Sequence, residues 1–277
     1  QVPSDSFDKL ALTIDSQAAV FLNPENSDST KEDAFYTMHA NLGKALQNPG
    51  TFTYPFDSTK RISILTSADN LVRLYTYHFK SSNGQYHQAG YVQYRSGADI
   101  RVLSLTNRME SSRIMESEGD VTWRGALYYQ IITMKYKGEA TYTLLGWNGN
   151  DALSTKKIID VFYINDEGDP VFGKPVFIYP KSVTKEFVAF EYSAEVQMTL
   201  VYEEENKSIV FDHLSPQSPA MTGIFAYYGP DLSYDAFVWE KGKWLYKADY
   251  DARLDKNLKD RFFEMKLQEQ KPIFKNP

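Results

Sequence analysis

From about Arg61 onward, apolar residues recur with a period of two, and glycine turns cut that pattern at short intervals. No other feature limits the fold as strongly. Successive strand side chains point to opposite faces, so alternation marks a strand with one buried face. Val196, Met198, Leu200 and Tyr202 alternate with Gln197 and Thr199 in this way. Ile158, Phe162 and Ile164 share a face with Asp160, and Ile159, Val161 and Tyr163 occupy the other. Leu127 to Tyr136 is apolar or aromatic on both faces, which predicts a strand central to its sheet.

The interruptions carry hairpin chemistry: Asn83-Gly84, Lys137-Gly138, Asn148-Gly149, Glu167-Gly168 and Lys241-Gly242. Asn-Gly is the strongest signal for a type I′ turn, and Glu-Gly or Lys-Gly supplies the glycine of a bulged variant. About ten to twelve strands follow from counting the runs. No crossover helices lie between them, so the pairing is expected to be antiparallel. The predicted class is mainly β with N-terminal helices (α+β), its antiparallel hairpins and meanders forming a sandwich- or barrel-like assembly.

The first 50 residues have helical spacing instead. Phe7, Leu10, Ala11, Ile14 and Ala18 make one apolar stripe, started by Pro3, Ser4 and Asp5. Phe35, Met38, Leu42, Ala45 and Leu46 make a second, with Thr30 as the expected N-cap and Asn48-Pro49-Gly50 as the stop. Three segments follow: a helical segment over 1–50 packed on the β domain, an antiparallel β domain over 51–253, and a short helix or extended tail over 254–277. Leu254, Leu258, Phe262 and Met265 give that last segment its helical spacing.

Composition removes several function classes. The chain has 277 residues, no cysteine, and 30 Lys plus Arg against 36 Asp plus Glu, a net charge of -6. It therefore has no disulfide framework, thiolate nucleophile or thiolate metal site. The acidic balance argues against a nucleic-acid partner or a basic membrane-surface protein. No apolar run reaches the roughly 18 residues a membrane-spanning helix needs. The sequence opens at Gln1 rather than Met. For a Tyr-rich, cysteine-free β protein, that start leads to the expectation of export to the periplasm or cell surface, with a signal peptide or lipoprotein leader removed.

No cofactor motif, G-x-S-x-G elbow or phosphate-cradling glycine loop occurs. His78 and His87 straddle Asn83-Gly84 and could offer two metal ligands, but two solvated hairpin histidines are the preferred reading, so no metal is assigned. Asp212, His213 and Ser215 are triad residue types, but triads form from distant segments, so their proximity carries no weight. Asp160, Asp212, Asp231 and Asp235 flank aromatic runs and would serve a glycosidase if two of them converged. Trp147, Asn148, Asn150 and Asp151, with Asp231, Tyr234 and Asp235, give rings beside amides and carboxylates, the residue types that stack on and hydrogen-bond a sugar.

A string of segments has a family likeness. It comprises Trp123-Arg124-Gly125-Ala126-Leu127-Tyr128-Tyr129, Leu144-Leu145-Gly146-Trp147-Asn148-Gly149-Asn150, Lys156-Lys157-Ile158-Ile159-Asp160-Val161, Ile209-Val210-Phe211-Asp212-His213-Leu214 and Tyr228-Gly229-Pro230-Asp231-Leu232-Ser233-Tyr234-Asp235. Over about residues 120–250 the chain resembles uncharacterised exported proteins of Bacteroidetes-type bacteria. The resemblance implies export and a β-rich fold and brings no catalytic residues. The expected role is an envelope-associated, non-enzymatic binding module with a glycan or an envelope protein as partner. The alternatives are a carboxylate-dependent glycan or peptidoglycan hydrolase and a structural module of an envelope assembly.

Overall fold

The computed structural model describes residues 4–106 and 121–251. Two helices open the chain, α1 (Ser4–Leu22) and α2 (Asp28–Leu46). The N-cap of α2 is Ser27, whose hydroxyl accepts from Thr30 N, so the helix starts before the expected Thr30 cap. A tail over 254–277, with its helical spacing, lies outside the described residues.

Sixteen strands follow among the described residues, arranged in three sheets. The first sheet is β1 (Ser63–Thr66), β2 (Val72–Lys80), β3 (Tyr86–Ser96), β4 (Asp99–Thr106) and β5 (Val121–Thr122), side by side in chain order. The second comprises β6 (Leu127–Tyr136), β7 (Glu139–Asn148), β8 (Ser154–Ile164), β9 (Pro170–Phe172) and β12 (Val188–Ser193), ordered β12-β8-β7-β6 with β9 also pairing β8. The third comprises β10 (Phe177–Ile178), β11 (Thr184–Lys185), β13 (Leu200–Glu203), β14 (Ser208–Pro216), β15 (Tyr228–Glu240) and β16 (Lys243–Lys247), ordered β11-β10-β16-β15-β14-β13. Pairing is antiparallel except for two short parallel contacts, β4 with β5 and β10 with β16.

Strand alternation stacks these parts into four layers. On β2, Tyr75, Tyr77 and Phe79 face the helices and pack on Ile14, Phe21, Phe35 and Leu42. Val72 and Leu74 face the second sheet and meet Tyr128, Leu144, Ile158 and Phe162. The opposite face of that second sheet offers Leu145, Ile159 and Val161 to Phe211, Phe237 and Trp244 of the third. The two predicted faces of Ile158 to Val161 thus enter two different cores. Burying both faces of the middle sheet explains its continuous apolar runs.

β6 is an edge strand of that sheet rather than a central one. Its residues read as two-faced because the first and third sheets cover it above and below: Tyr128 joins one core, Ile132 and Met134 the other. Strand pairing also begins later than expected in the 196–202 run, at Leu200.

Candidate functional site

The end of β7 and the loop joining it to β8 carry four of the predicted site residues, Trp147 and Asn148 on the strand and Asn150 and Asp151 in the loop. Asn148 Oδ1 accepts from Asn150 N at 2.7 Å, and its Nδ2 donates to Gly125 O at 2.6 Å. Asn150 takes φ 53°, a left-handed conformation that Asn tolerates better than most residues. Its amide donates to Ser154 Oγ at 2.7 Å, and its carbonyl oxygen accepts from Lys156 Nζ at 2.8 Å. Asp151 Oδ1 accepts from Leu153 N and Ser154 N, and these bonds hold its carboxyl below the usual carboxylate range. Asn148 and Asn150 therefore spend their hydrogen bonds on building the loop, and Trp147, Gly149 and Asp151 line the cavity beside it. Gly149 is fixed by contact, because a Cβ there would lie 2.3 Å from the Tyr86 ring.

This cavity measures about 370 Å³, within the span of roughly 300–1,000 Å³ common for small-ligand sites. Three separate parts of the chain make it. The β2–β3 hairpin supplies Lys80 and Tyr86, the β7–β8 pair supplies Trp147, Thr155 and Lys157, and β12 with the following loop supplies Tyr192, Ala194, Val196, Gln197 and Met198. Trp147 and Lys157 sit directly opposite on neighbouring strands and so share a face. Tyr86 meets Trp147 edge-on, ring centroids 5.3 Å apart at 86°, a favoured aromatic geometry. His78 backs the indole at 5.2 Å, and burial pushes its imidazole down to about 4, leaving it neutral near pH 7.

Both lysines rest on tyrosine rings: Lys80 Nζ is 5.4 Å from the Tyr86 centroid and Lys157 Nζ 4.5 Å from that of Tyr129. Partial burial lowers the pKa of Lys157 from its ordinary value. Sequence reading missed Lys80, Tyr86, Lys157 and Tyr192. Tyr86 lies near an Asn-Gly signal, but nothing local marks Tyr192 as a neighbour of Trp147.

Asp231, Tyr234 and Asp235 belong to β15 in the third sheet and are not among the residues lining this cavity. Asp231 and Asp235 flank His213, which sits at an irregularity where the β14–β15 register shifts between Asp212 and Leu214. Such bulges re-aim a side chain. His213 Nδ1 bonds Asp235 Oδ2 at 2.8 Å, and its Nε2 lies 3.9 Å from Asp231 Oδ2. The carboxylate neighbours raise the imidazole pKa, with the Asp235 hydrogen bond the largest cause. Tyr246 Oη and Asp249 N also donate to Asp235. Ser215 engages Asp231 rather than His213, so these residues form an ion-pair cluster without the serine–histidine contact of a triad.

Of the four candidate hydrolytic acids, Asp231 and Asp235 meet, with His213 between them, and Asp160 lies apart from them. Asp160 is 0 % exposed between the first and second sheets, whereas Asp212, Asp231 and Asp235 belong to the third. Burial pushes the Asp160 carboxyl up to about 6, partly offset by Val161 N, Arg124 and Tyr128 Oη. A second cavity of about 510 Å³ has two acids in its wall, Asp69 and Glu204, beside Tyr202 and Trp239. Asp69 accepts from Ser67 Oγ, Leu71 N and Tyr142 Oη, so both of its oxygens are already engaged by neighbouring groups.

No group of three or more metal-ligating side chains occurs among the described residues. His78 and His87 are out of register across their hairpin and occupy opposite faces, and both are partly buried rather than solvated. His78 faces Trp147, and His87 stacks on Phe79 at 4.5 Å. No helix among the described residues is long and apolar enough to cross a membrane. Comparison with protein-family models, curated proteins and solved structures gives no match.

Proposed function

We propose that this chain is an exported, envelope-associated, non-enzymatic binding module that receives a glycan in the Trp147 cavity. The observation that carries the reading is a cavity walled by Tyr86, Trp147 and Tyr192 with Lys80, Lys157, Asp151 and Gln197 around them. Flat rings suit the C–H faces of a sugar, and the surrounding polar groups suit its hydroxyls. Among the lining residues Asp151 is the one carboxylate, and glycoside hydrolysis ordinarily takes two. The likeness of residues 120–250 to exported Bacteroidetes-type proteins supports placement in the periplasm or at the cell surface.

The test is a panel of glycans screened by thermal shift, with hits titrated against the wild type and Trp147→Ala. The expected outcome is at least one binding glycan whose affinity falls about tenfold or more in the variant, a loss near 1.4 kcal/mol. A panel without hits, or equal affinity in the two proteins, overturns the proposal.

One observation favours the assembly reading as an alternative. Ile224, Phe225 and Tyr227 are exposed in the turn before β15, and Leu232, at φ 73°, is 93 % exposed. Clustered exposed apolar groups mark interaction surfaces. Sedimentation velocity separates the readings: a concentration-dependent oligomer lost in Phe225→Ser with Leu232→Ser favours assembly, and a monomer at all concentrations opposes self-assembly.

A further inference from the structure

We infer that the ligand of the Trp147 cavity is anionic, a glycan bearing carboxylate or sulfate groups held by Lys80 and Lys157. The inference rests on the glycan-binding reading of the same cavity and narrows its ligand class. Two ammonium groups line one small cavity in a chain of net charge -6. Among the described residues neither lies within salt-bridge distance of a carboxylate. Their neighbours are the rings of Tyr86 and Tyr129, which position the amines without neutralising them.

Two nearby acids already have partners of their own. Asp151 Oδ1 is taken by two backbone N–H groups of its own loop, and its Oδ2 accepts from Asn150 Nδ2 at 3.1 Å. Glu191, at the loop's far side, pairs with Lys156 at 3.4 Å and accepts from Ser154 Oγ. Among the described lining residues two ammonium groups thus face the single carboxylate of Asp151, which leaves the wall with a positive balance. Lys157 is also partly buried, and a partly desolvated ammonium gains more from an anion than one in bulk water. An acidic sugar fits both halves of this wall, a C–H face against Trp147 and an anionic group between the lysines.

Isothermal titration of the whole chain with three probes tests the inference: maltotriose as the neutral sugar, trigalacturonate for carboxylate and a sulfated malto-oligosaccharide for sulfate. The expected result is about tenfold or tighter binding of an acidic probe than of maltotriose, weakened several-fold by Lys80→Gln and by Lys157→Gln and by added salt. Whichever acidic probe binds more tightly identifies the anion. Trp147→Phe keeps an aromatic ring and should retain the acidic preference, while unchanged melting temperatures show that the lysine variants remain folded. If maltotriose binds as tightly as the acidic probes and the lysine variants change nothing, the anionic assignment falls and the glycan site stands. If no probe binds, both fall.

Discussion

Replacing Asp160 by Asn is the perturbation whose size follows most directly from the structure. The carboxyl lies at 0 % exposure in the middle sheet, where it accepts from Tyr128 Oη at 3.0 Å and Val161 N at 2.8 Å. Arg124 Nε is 3.9 Å away, too far for a short charge-assisted bond, and its guanidinium stacks over Phe187. Asn fills nearly the same volume and removes the titration; its single carbonyl oxygen keeps the bond from Val161 N, and its amide NH2 donates to Tyr128 Oη instead of accepting from it. Folding raises the Asp160 pKa from 3.8 to about 6, so the native state binds the proton more tightly than the unfolded chain. The associated stabilisation is fully present below pH 3.8 and is lost as pH rises through 6. Linkage puts the whole shift at about 3 kcal/mol, of which about 2 remain at pH 4 and about 1 at pH 5.

Urea unfolding of both proteins between pH 4 and pH 7.5 reads this out, because the contribution of every other titrating group cancels in the difference. The wild type should gain on Asp160→Asn by about 1 kcal/mol on going from pH 7.5 to 5, and by about 2 at pH 4. A difference that stays flat refutes the reasoning, since it means that Arg124 keeps the carboxylate ionised throughout. A difference that grows toward high pH has the wrong sign and refutes it as well. The outcome bears on function, because the one carboxyl raised among the described residues would be a product of packing, away from any cleft.

The remaining predictions address the other layers. His39 lies on the buried face of α2, with Nδ1 2.6 Å from Tyr77 Oη and its ring stacked on Tyr91 at 4.5 Å, and burial holds its pKa at about 4. Its folded pKa is depressed, so its contribution is complete above pH 6.5 and is lost as pH falls toward 4. His39→Gln should therefore recover about 2–3 kcal/mol relative to wild type between pH 7 and 4.5 in the same urea series, and parallel curves would count against this. Trp244 is fully buried and its indole N–H donates to Thr143 Oγ1 at 3.0 Å, linking the third sheet to the second. Trp244→Ala should cost about 3–5 kcal/mol in urea unfolding, and a loss below 1 kcal/mol would show that the indole does not hold the sheets together. A Cβ at Gly90 would meet Tyr75 O at 2.3 Å, so Gly90→Ala should lower the melting temperature by forcing β2 and β3 apart, and an unchanged melt would deny that contact.

The elements were readable where a local pattern matches a local cause. The helical stripes, both faces of Ile158 to Val161, and the placement of turns all follow from periodicity. Turn type did not follow from the dipeptides. Lys137-Gly138 and Lys241-Gly242 close two-residue loops with positive φ at both positions, the type I′ geometry expected of Asn-Gly. Asn83-Gly84 and Asn148-Gly149 instead sit in longer loops, where each Asn side chain accepts from a backbone N–H two residues on. The position of β6 was hidden because neighbouring sheets cover an edge strand here as fully as a central one. Of the site, Trp147 and Asp151 were legible from their place beside a turn. Lys80, Tyr86 and Tyr192 reach them only through the stacking of the first sheet's hairpin and β12 around the second sheet, which no local pattern encodes.

Indole N–H resonances offer the most direct test of the central claim. The chain has four tryptophans, and two of them line different cavities, Trp147 the proposed site and Trp239 the larger cleft near Asp69. Two-dimensional nitrogen–proton spectra recorded while an acidic oligosaccharide is added, with the Trp147 signal assigned by its absence in Trp147→Phe, follow each ring separately. A saturable shift of the Trp147 indole signal is expected, with those of Trp239 and Trp244 staying in place. A saturable shift at Trp239 with Trp147 unmoved would contradict it.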